Sequence, residues 1–167
     1  SHTRYEWSLI AWAAWVADVA VNRATGEVTV SRVTVGQDIS ERDTQFDAKP
    51  PHFSLGKSYP GFAPLGPVLV TPDEFPDRDD IEIGCTVNGE QMQKSRTSAM
   101  LFSVPKLVAY LSGITPLLPG DIIFTGTPDG VGLGRTPQRY LMDGDVLRSS
   151  IAGIGELEQI FVAPSGE

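Results

Sequence analysis

The sequence predicts a mainly β fold with one or two short helices, and three observations carry that prediction. Apolar residues alternate on both sides of a turn-rich hexapeptide, "WVADVAV" before "NRATGE" and "VTVSRVTV" after it, which is the pattern of two half-buried strands joined as a hairpin. Asn88-Gly89 sits between "IEIGCTV" and "EQMQ", and Asn-Gly is the dipeptide that the tightest hairpin turns favour because both residues tolerate positive φ. Only "SVPKLVAYLSG" has helical spacing, with Ser103 placed to cap, Pro105 in the first turn, Leu107, Val108 and Leu111 on one face, and Gly113 at the end.

The remaining elements follow in order. Val28, Val30, Val33 and Val35 form the apolar side of the second strand. From Asp38 to Gly66 the composition turns to Pro, Gly, Ser and charge, an irregular stretch longer than compact domains usually carry without a functional reason. Its aromatic residues, Phe46, Phe53, Tyr59 and Phe62, argue that it is ordered. "PLGPVLVTPDEF" reads as a short strand ended by Thr71-Pro72. In "IEIGCTV", Cys85 is in phase with Ile81, Ile83 and Val87 and reads as a core residue. "LLPGDIIFTGTPDGVG" reads as a turn, a buried strand and a glycine-rich loop, and "MDGDVLRSSIAGIGELEQIFV" closes the chain with strands around tight turns.

With 167 residues, 41% of them hydrophobic and 20% charged, the chain has the composition of an ordinary globular protein. Its net charge is 13 − 21 = −8, which argues against nucleic acid or an anionic membrane surface as the main partner. A protein this acidic needs local cations, Lys, Arg or a metal, if it handles an acidic substrate. A single cysteine leaves no internal disulfide and fits a reducing cytoplasm. No apolar run is long enough to span a membrane, and Leu9 to Ala17 lacks the basic flank of a signal peptide.

Two polar loops, each after a strand, are the candidate chemistry: "GQDISERDTQF…FSLGKSYPGFAPLGP" and "FTGTPDGVGLGR". Asp38 follows the apolar alternation directly, so its carboxylate is placed at a strand end; a turn residue is the plain alternative. Arg42 offers a planar donor fork to a carboxylate, or pairs with Asp43 or Glu41. Lys57 lies between Gly56 and Ser58, where an ammonium can face an enolate or carboxylate oxygen; a surface lysine is the alternative. "GTPDGVG" lacks the Gly-Lys-Ser/Thr of a P-loop, yet its amides and the Thr127 hydroxyl suit an oxyanion. His2 and His52 make no ligand pair, and no serine has a nucleophile-elbow context.

Six blocks in order, "GQDISERDTQ", "FSLGKSYPGFAPLGP", "VNGEQMQKSRTS", "LLPGDIIFTGTPDGVG", "MDGDVL" and "IAGIGEL", resemble the C-terminal catalytic domain of the fumarylacetoacetate hydrolase family. The resemblance implies a layered, mixed and mostly antiparallel β-sheet roll over residues 36–167, preceded by an atypical hairpin segment at 1–35. It implies Mg²⁺ or Mn²⁺ held by two glutamates and an aspartate, a homodimer, and hydrolysis, decarboxylation or isomerisation of small 2-keto or 1,3-dicarbonyl acids. Residue by residue, it implies that Asp38 is the metal aspartate, that Gln45, Lys57 and Arg42 are active-site residues, and that Gly126 and Thr127 bind substrate. The family's Glu-x-Glu pair falls on "YEWSL", with Glu6 in the first position and Ser8 in the second, so one carboxylate is missing. The family's upstream domain, with any general base it carries, lies outside this sequence. "AAWVADVAVNRATGEVTVSRVTVGQD" separately resembles a hairpin from the molybdenum-cofactor subunit of the xanthine dehydrogenase and aldehyde oxidase family, without that family's cofactor residues, which makes the chain a candidate chimera.

Overall fold

The computed structural model describes residues 11–163 apart from 23 and 26, with side chains described from residue 19 onward. Eight strands form two four-stranded sheets, and every described strand pairing is antiparallel. The first sheet has the order β3-β2-β1-β6, built from β1 (Ala11–Val21), β2 (Val28–Asp38), β3 (Leu65–Val70) and β6 (Ile122–Phe124). The second has the order β5-β4-β7-β8, built from β4 (Glu82–Val87), β5 (Glu90–Arg96), β7 (Val146–Ile151) and β8 (Gly155–Ile160). The connections carry the helices α1 (Arg42–Asp47) and α2 (Val104–Ser112) and four short 3-10 turns.

The hairpin β1–β2 closes where expected. Asn22 Oδ1 accepts from the amides of Ala24 and Thr25 at 3.0 and 3.3 Å, the local bonding for which Asn is favoured in turns. The odd spacing of the β2 valines, 28 and 30 and then 33 and 35, has a structural cause. Val19 pairs with Val30 and Asp18 with Arg32, so Ser31 is an extra residue in a β-bulge that keeps both valine pairs on one side. The strand runs unbroken through residue 36, and β1 also pairs with β6, so the hairpin is an integral half of the first sheet.

The main core lies between the sheets. Val33, Val35 and Val70 of the first sheet pack with Ile83, Cys85, Val87, Leu147 and Ile151 of the second, joined by Ile39, Leu141 and Ile154 from the connections. Cys85 is 3% exposed, as its phase with the neighbouring isoleucines predicts, and burial pushes its thiol up to about 12. A thiol that is both buried and protonated should resist alkylation until the protein unfolds. Thiol labelling across a denaturant series checks this, and rapid labelling of the native protein contradicts it.

A second, smaller cluster joins Val19 and Ile123 to Val108 of α2, with Leu111 and Val104 against it. Ser103 occupies the N-cap of α2, but its side chain makes no capping bond. Pro105 stands in the first turn and Gly113 at the C-cap, both as expected. β6 is less buried than its apolar letters suggest. Among the described residues it lies at the edge of its sheet, and of its three residues only Ile123 is buried.

Candidate active site

The polar stretch after β2 is not an irregular loop throughout. Glu41 begins α1, with its carboxylate accepting from the amides of Asp43 at 3.0 Å and Thr44 at 2.7 Å. These bonds answer two of the amides that a helix start leaves unpaired. Although burial opposes it, the bonds with Thr44 and Asp43 hold the Glu41 carboxyl below its ordinary range. A carboxyl with a lowered folded-state pKa stabilises the protein above its unfolded pKa, and that stabilisation fades as pH falls through the folded value. Glu41→Ala should therefore cost about 1 kcal/mol at neutral pH, with the difference from wild type shrinking in acid. Urea melts at neutral and acidic pH measure it, and a pH-independent difference contradicts the cap.

Helix α1 is docked to the 3-10 turn Leu55–Lys57. The Glu41 amide donates to the Gly56 carbonyl at 2.7 Å, the His52 amide donates to the Gln45 carbonyl at 2.8 Å, and the Thr44 and Tyr59 hydroxyls meet at 2.6 Å. The approach at Gly56 is close enough that a Cβ there would lie 2.8 Å from the Glu41 carbonyl oxygen and 3.1 Å from Gln45 Cβ. Only glycine allows it. This docking aims Lys57 at Asp38, and the two form an ion pair with each side chain 24% exposed. The carboxylate at the end of β2 therefore points at the ammonium and not away into solvent.

Arg42 does not pair with Asp43 or Glu41. Its guanidinium donates to Gln45 Oε1 and lies over the Phe46 ring, 5.7 Å from the centroid. Arg42 is 7% exposed, and burial lowers its pKa to about 10, against the opposing pull of Tyr140 and Asp38. The side chain remains a cation at neutral pH, and its charge is felt at Asp38. Gln45 is fully buried, so its contact is with Arg42 and not with open solvent. Among the described residues, Gln45 Nε2 and Ser40 Oγ are buried atoms without a hydrogen-bond partner.

Gly126 and Thr127 follow β6. The strand register relates them to Asp38. Ala11 lies opposite Asp38, and Val16 lies opposite Phe124, so continuing past Phe124 leads toward the end of the first sheet at which β2 delivers Asp38. β1 lies between them, and β6 ends level with Val16 while β2 ends level with Ala11, so the two loops leave the sheet on the same side at different heights. The Gly126–Thr127 loop lines a cavity of about 430 Å³ with Ile83, Arg96, Met100 and Leu107. That size suits a small organic acid.

The loop is held by a residue for which the sequence suggested no role. Gln93, 2% exposed, has Nε2 within 2.6 and 3.1 Å of the Pro128 and Asp129 carbonyls and 3.0 Å of Thr127 Oγ1, so its two hydrogens are shared among three acceptors. Met92 and Gln93 are buried in succession because the β4–β5 register slips between Cys85–Gln93 and Thr86–Gln91. Beside them Gly130, at φ +99°, passes so near that a Cβ would lie 2.2 Å from the Met92 carbonyl oxygen.

The Asp38 carboxylate is a hard oxygen donor, the kind that suits Mg²⁺ or Mn²⁺. Among the described residues, however, no group of three or more His, Cys, Asp or Glu is placed to hold a metal. The Glu41 carboxylate is committed to the helix cap, and Glu6 and Ser8 lie outside the described residues. Asp38 thus fits one ligand position of such a site.

The fumarylacetoacetate (FAA) hydrolase C-terminal family matches residues 5–162. The chain belongs to that family. The match runs without a break through residue 35, so the N-terminal hairpin is part of the family stretch, and the molybdenum-subunit resemblance finds no support. The chain is 44% identical over 126 residues to oxaloacetate tautomerase FAHD2A, mitochondrial, of Bos taurus, covering 75% of this chain and 40% of that protein. It is 41% identical over 143 residues to 2,4-didehydro-3-deoxy-L-rhamnonate hydrolase of a Sphingomonas species, covering 85% and 48%. Fumarylpyruvate hydrolase from Pseudomonas aeruginosa, solved in complex with Mn²⁺ and pyruvate, superposes with a TM-score of 0.79 at 27% identity, over 97% of this chain and 68% of that one. The chain therefore spans less than half the length of the two curated relatives, and no helix among its described residues is long and apolar enough to cross a membrane.

Proposed function

We propose that the chain acts on small 2-keto or 1,3-dicarbonyl acids of the acylpyruvate kind, by C–C hydrolysis, decarboxylation or keto–enol isomerisation through an enolate. The observation that carries this reading is the Lys57 ammonium held on the half-buried Asp38 carboxylate, at the end of the sheet toward which the Gly126–Thr127 loop also runs. Lys57 puts a positive charge where enolate charge develops, and a charge already in place costs no reorganisation during reaction. Arg42, fixed by Gln45 and Phe46, adds a second cation to the same wall. The Thr127 hydroxyl and the Gly126–Thr127 amides orient the substrate carboxylate. A divalent ion, Mg²⁺ or Mn²⁺, with Asp38 as one ligand, supplies Lewis-acid stabilisation of enolate oxygens when bound.

The same reading includes a homodimer, as the family resemblance implies. It also includes a reducing compartment, the cytoplasm on the sequence evidence, although the bovine relative is named as mitochondrial. A second reading, a chain that keeps the family fold without turnover, is favoured by one observation: the described residues bring a single carboxylate to the metal position.

Two measurements separate the readings. A Mg²⁺-dependent rise in melting temperature with loss of acylpyruvate absorbance supports the enzyme. No metal response and no turnover at high protein concentration supports the relic. Activity that appears only in Ser8→Glu assigns the defect to the missing carboxylate.

A further inference from the structure

We propose that the chain selects keto acids whose acyl tail is uncharged and apolar, the tail lying against Ile83, Met100, Phe102 and Leu107, and that it rejects tails ending in a second carboxylate. The inference rests on the reading of Gly126–Thr127 as the carboxylate-binding loop and names the substrate class within it. The backbone of that loop is open to the cavity it lines: Gly126 takes φ +111°, and a Cβ there would meet nothing within 4 Å. The cavity holds about 430 Å³, and pockets from about 300 Å³ upward enclose drug-sized ligands, so a three-carbon keto-acid head leaves room to spare. What lies beyond the head therefore decides which acids fit.

Most of the remaining wall is apolar. Ile83 is buried, Met100 and Leu107 are half-buried, and Phe102 is 56% exposed on the segment that joins the 3-10 turn Thr97–Ala99 to α2. An apolar tail covers the exposed part of this wall, and each methylene that it buries fully is worth about fourfold in affinity.

The charges point the same way. Among the described residues, two charged side chains belong to the cavity lining, Arg96 and Asp129. Arg96 is committed to Asp80, donating from Nε to Oδ1 at 2.6 Å and from Nη2 to the backbone carbonyl at 2.8 Å. Ser98 Oγ donates to the same Oδ1 at 2.6 Å, and the bonds from Arg96 and Ser98 hold the Asp80 carboxyl below its ordinary range. Asp80 is therefore ionised at neutral pH and neutralises Arg96. A carboxylate at the end of a tail must either displace Asp80 or approach Asp129, and in both cases it gives up water without gaining a cation.

The test is calorimetric titration of the full chain, with Mg²⁺ present, by three 2-keto acids that lack a second ketone and so offer no C–C bond to hydrolyse. They are pyruvate, 2-oxohexanoate and 2-oxohexanedioate, the last two differing only at the end of the tail. 2-Oxohexanoate should bind about tenfold tighter than pyruvate, and 2-oxohexanedioate no tighter than pyruvate. Met100→Lys places an unpaired cation in the wall and should reverse the order of the two six-carbon acids. Phe102→Ser covers the case in which M100K does not fold, and should cut the advantage of 2-oxohexanoate over pyruvate to about threefold or less.

If wild type binds pyruvate but holds both six-carbon acids alike, or prefers the diacid, the selection is overturned and the carboxylate loop stands. If wild type favours 2-oxohexanoate and a folded variant keeps the wild-type ratios, the tail lies elsewhere and the assigned wall is overturned. A wild-type protein that binds none of the three acids overturns the inference together with the carboxylate site on which it rests.

Discussion

Replacing Lys57 with methionine should lower kcat/KM on an acylpyruvate or related keto acid by about a hundredfold to a thousandfold, the loss typical of removing one preorganised oxyanion-stabilising group. Stability should change little. Lys57 and Asp38 are each about a quarter exposed, and a partly solvated pair of this kind contributes on the order of 1 kcal/mol or less. Methionine keeps the unbranched stem to within one atom and removes the charged ammonium, so the loss reports that group. Asp38→Asn should fall in the same range, and the double variant should lose less than the sum of the two, since the residues touch and act on one substrate. Steady-state kinetics with a thermal melt for each variant decides it. Turnover within a few-fold of wild type in K57M would return Lys57 to the role of a surface cation.

The largest effect on stability is expected at Asp145. This carboxylate, 6% exposed, accepts from Arg139 Nη2 at 2.9 and 2.7 Å, from Asn88 Nδ2 at 2.7 Å and from the Met142 amide at 2.8 Å. It ties the Asn88-Gly89 hairpin to the turn that enters β7, and Asn88 Oδ1 returns the tie by accepting from the Val146 amide at 2.9 Å. Asp145→Ala removes the buried partner of a pair whose Arg139 side chain is 31% exposed and leaves that charge and two donors without their acceptor, which costs about 3 kcal/mol, the low end for breaking a buried pair. For a chain of this size that lowers Tm by roughly 10 °C. Asp145→Asn, which keeps an acceptor oxygen, should lose less. Equal melting temperatures for wild type and D145A would mean that the network is solvated and contributes little.

Much of this was legible in the letters. The period-two valines, the Asn88-Gly89 turn and the phase of Cys85 each describe a local preference that tertiary packing agrees with, and all appear as read. Asp38 was readable as a carboxylate at a strand end and Lys57 as an ammonium among glycines and prolines, and the structure brings them into contact. Three features were hidden for physical reasons. Helix α1 is only six residues long, too short for a periodic signal, and its start is marked by a glutamate cap and not by the Ser or Asp usually sought there. The burial of Gln93 depends on a bulge that turns two consecutive residues inward, which strict alternation forbids. The shallow burial of β6 depends on its place at a sheet edge, which an apolar tripeptide does not encode.

The most direct test is a Mn²⁺ titration followed by water-proton relaxation, carried out on wild type and Asp38→Asn with pyruvate present and absent. Saturable Mn²⁺ binding in wild type, strengthened by pyruvate and lost in D38N while the fold persists, is the expected result. Mn²⁺ binding of equal strength in both proteins, or in neither, would contradict a keto-acid site built on Asp38.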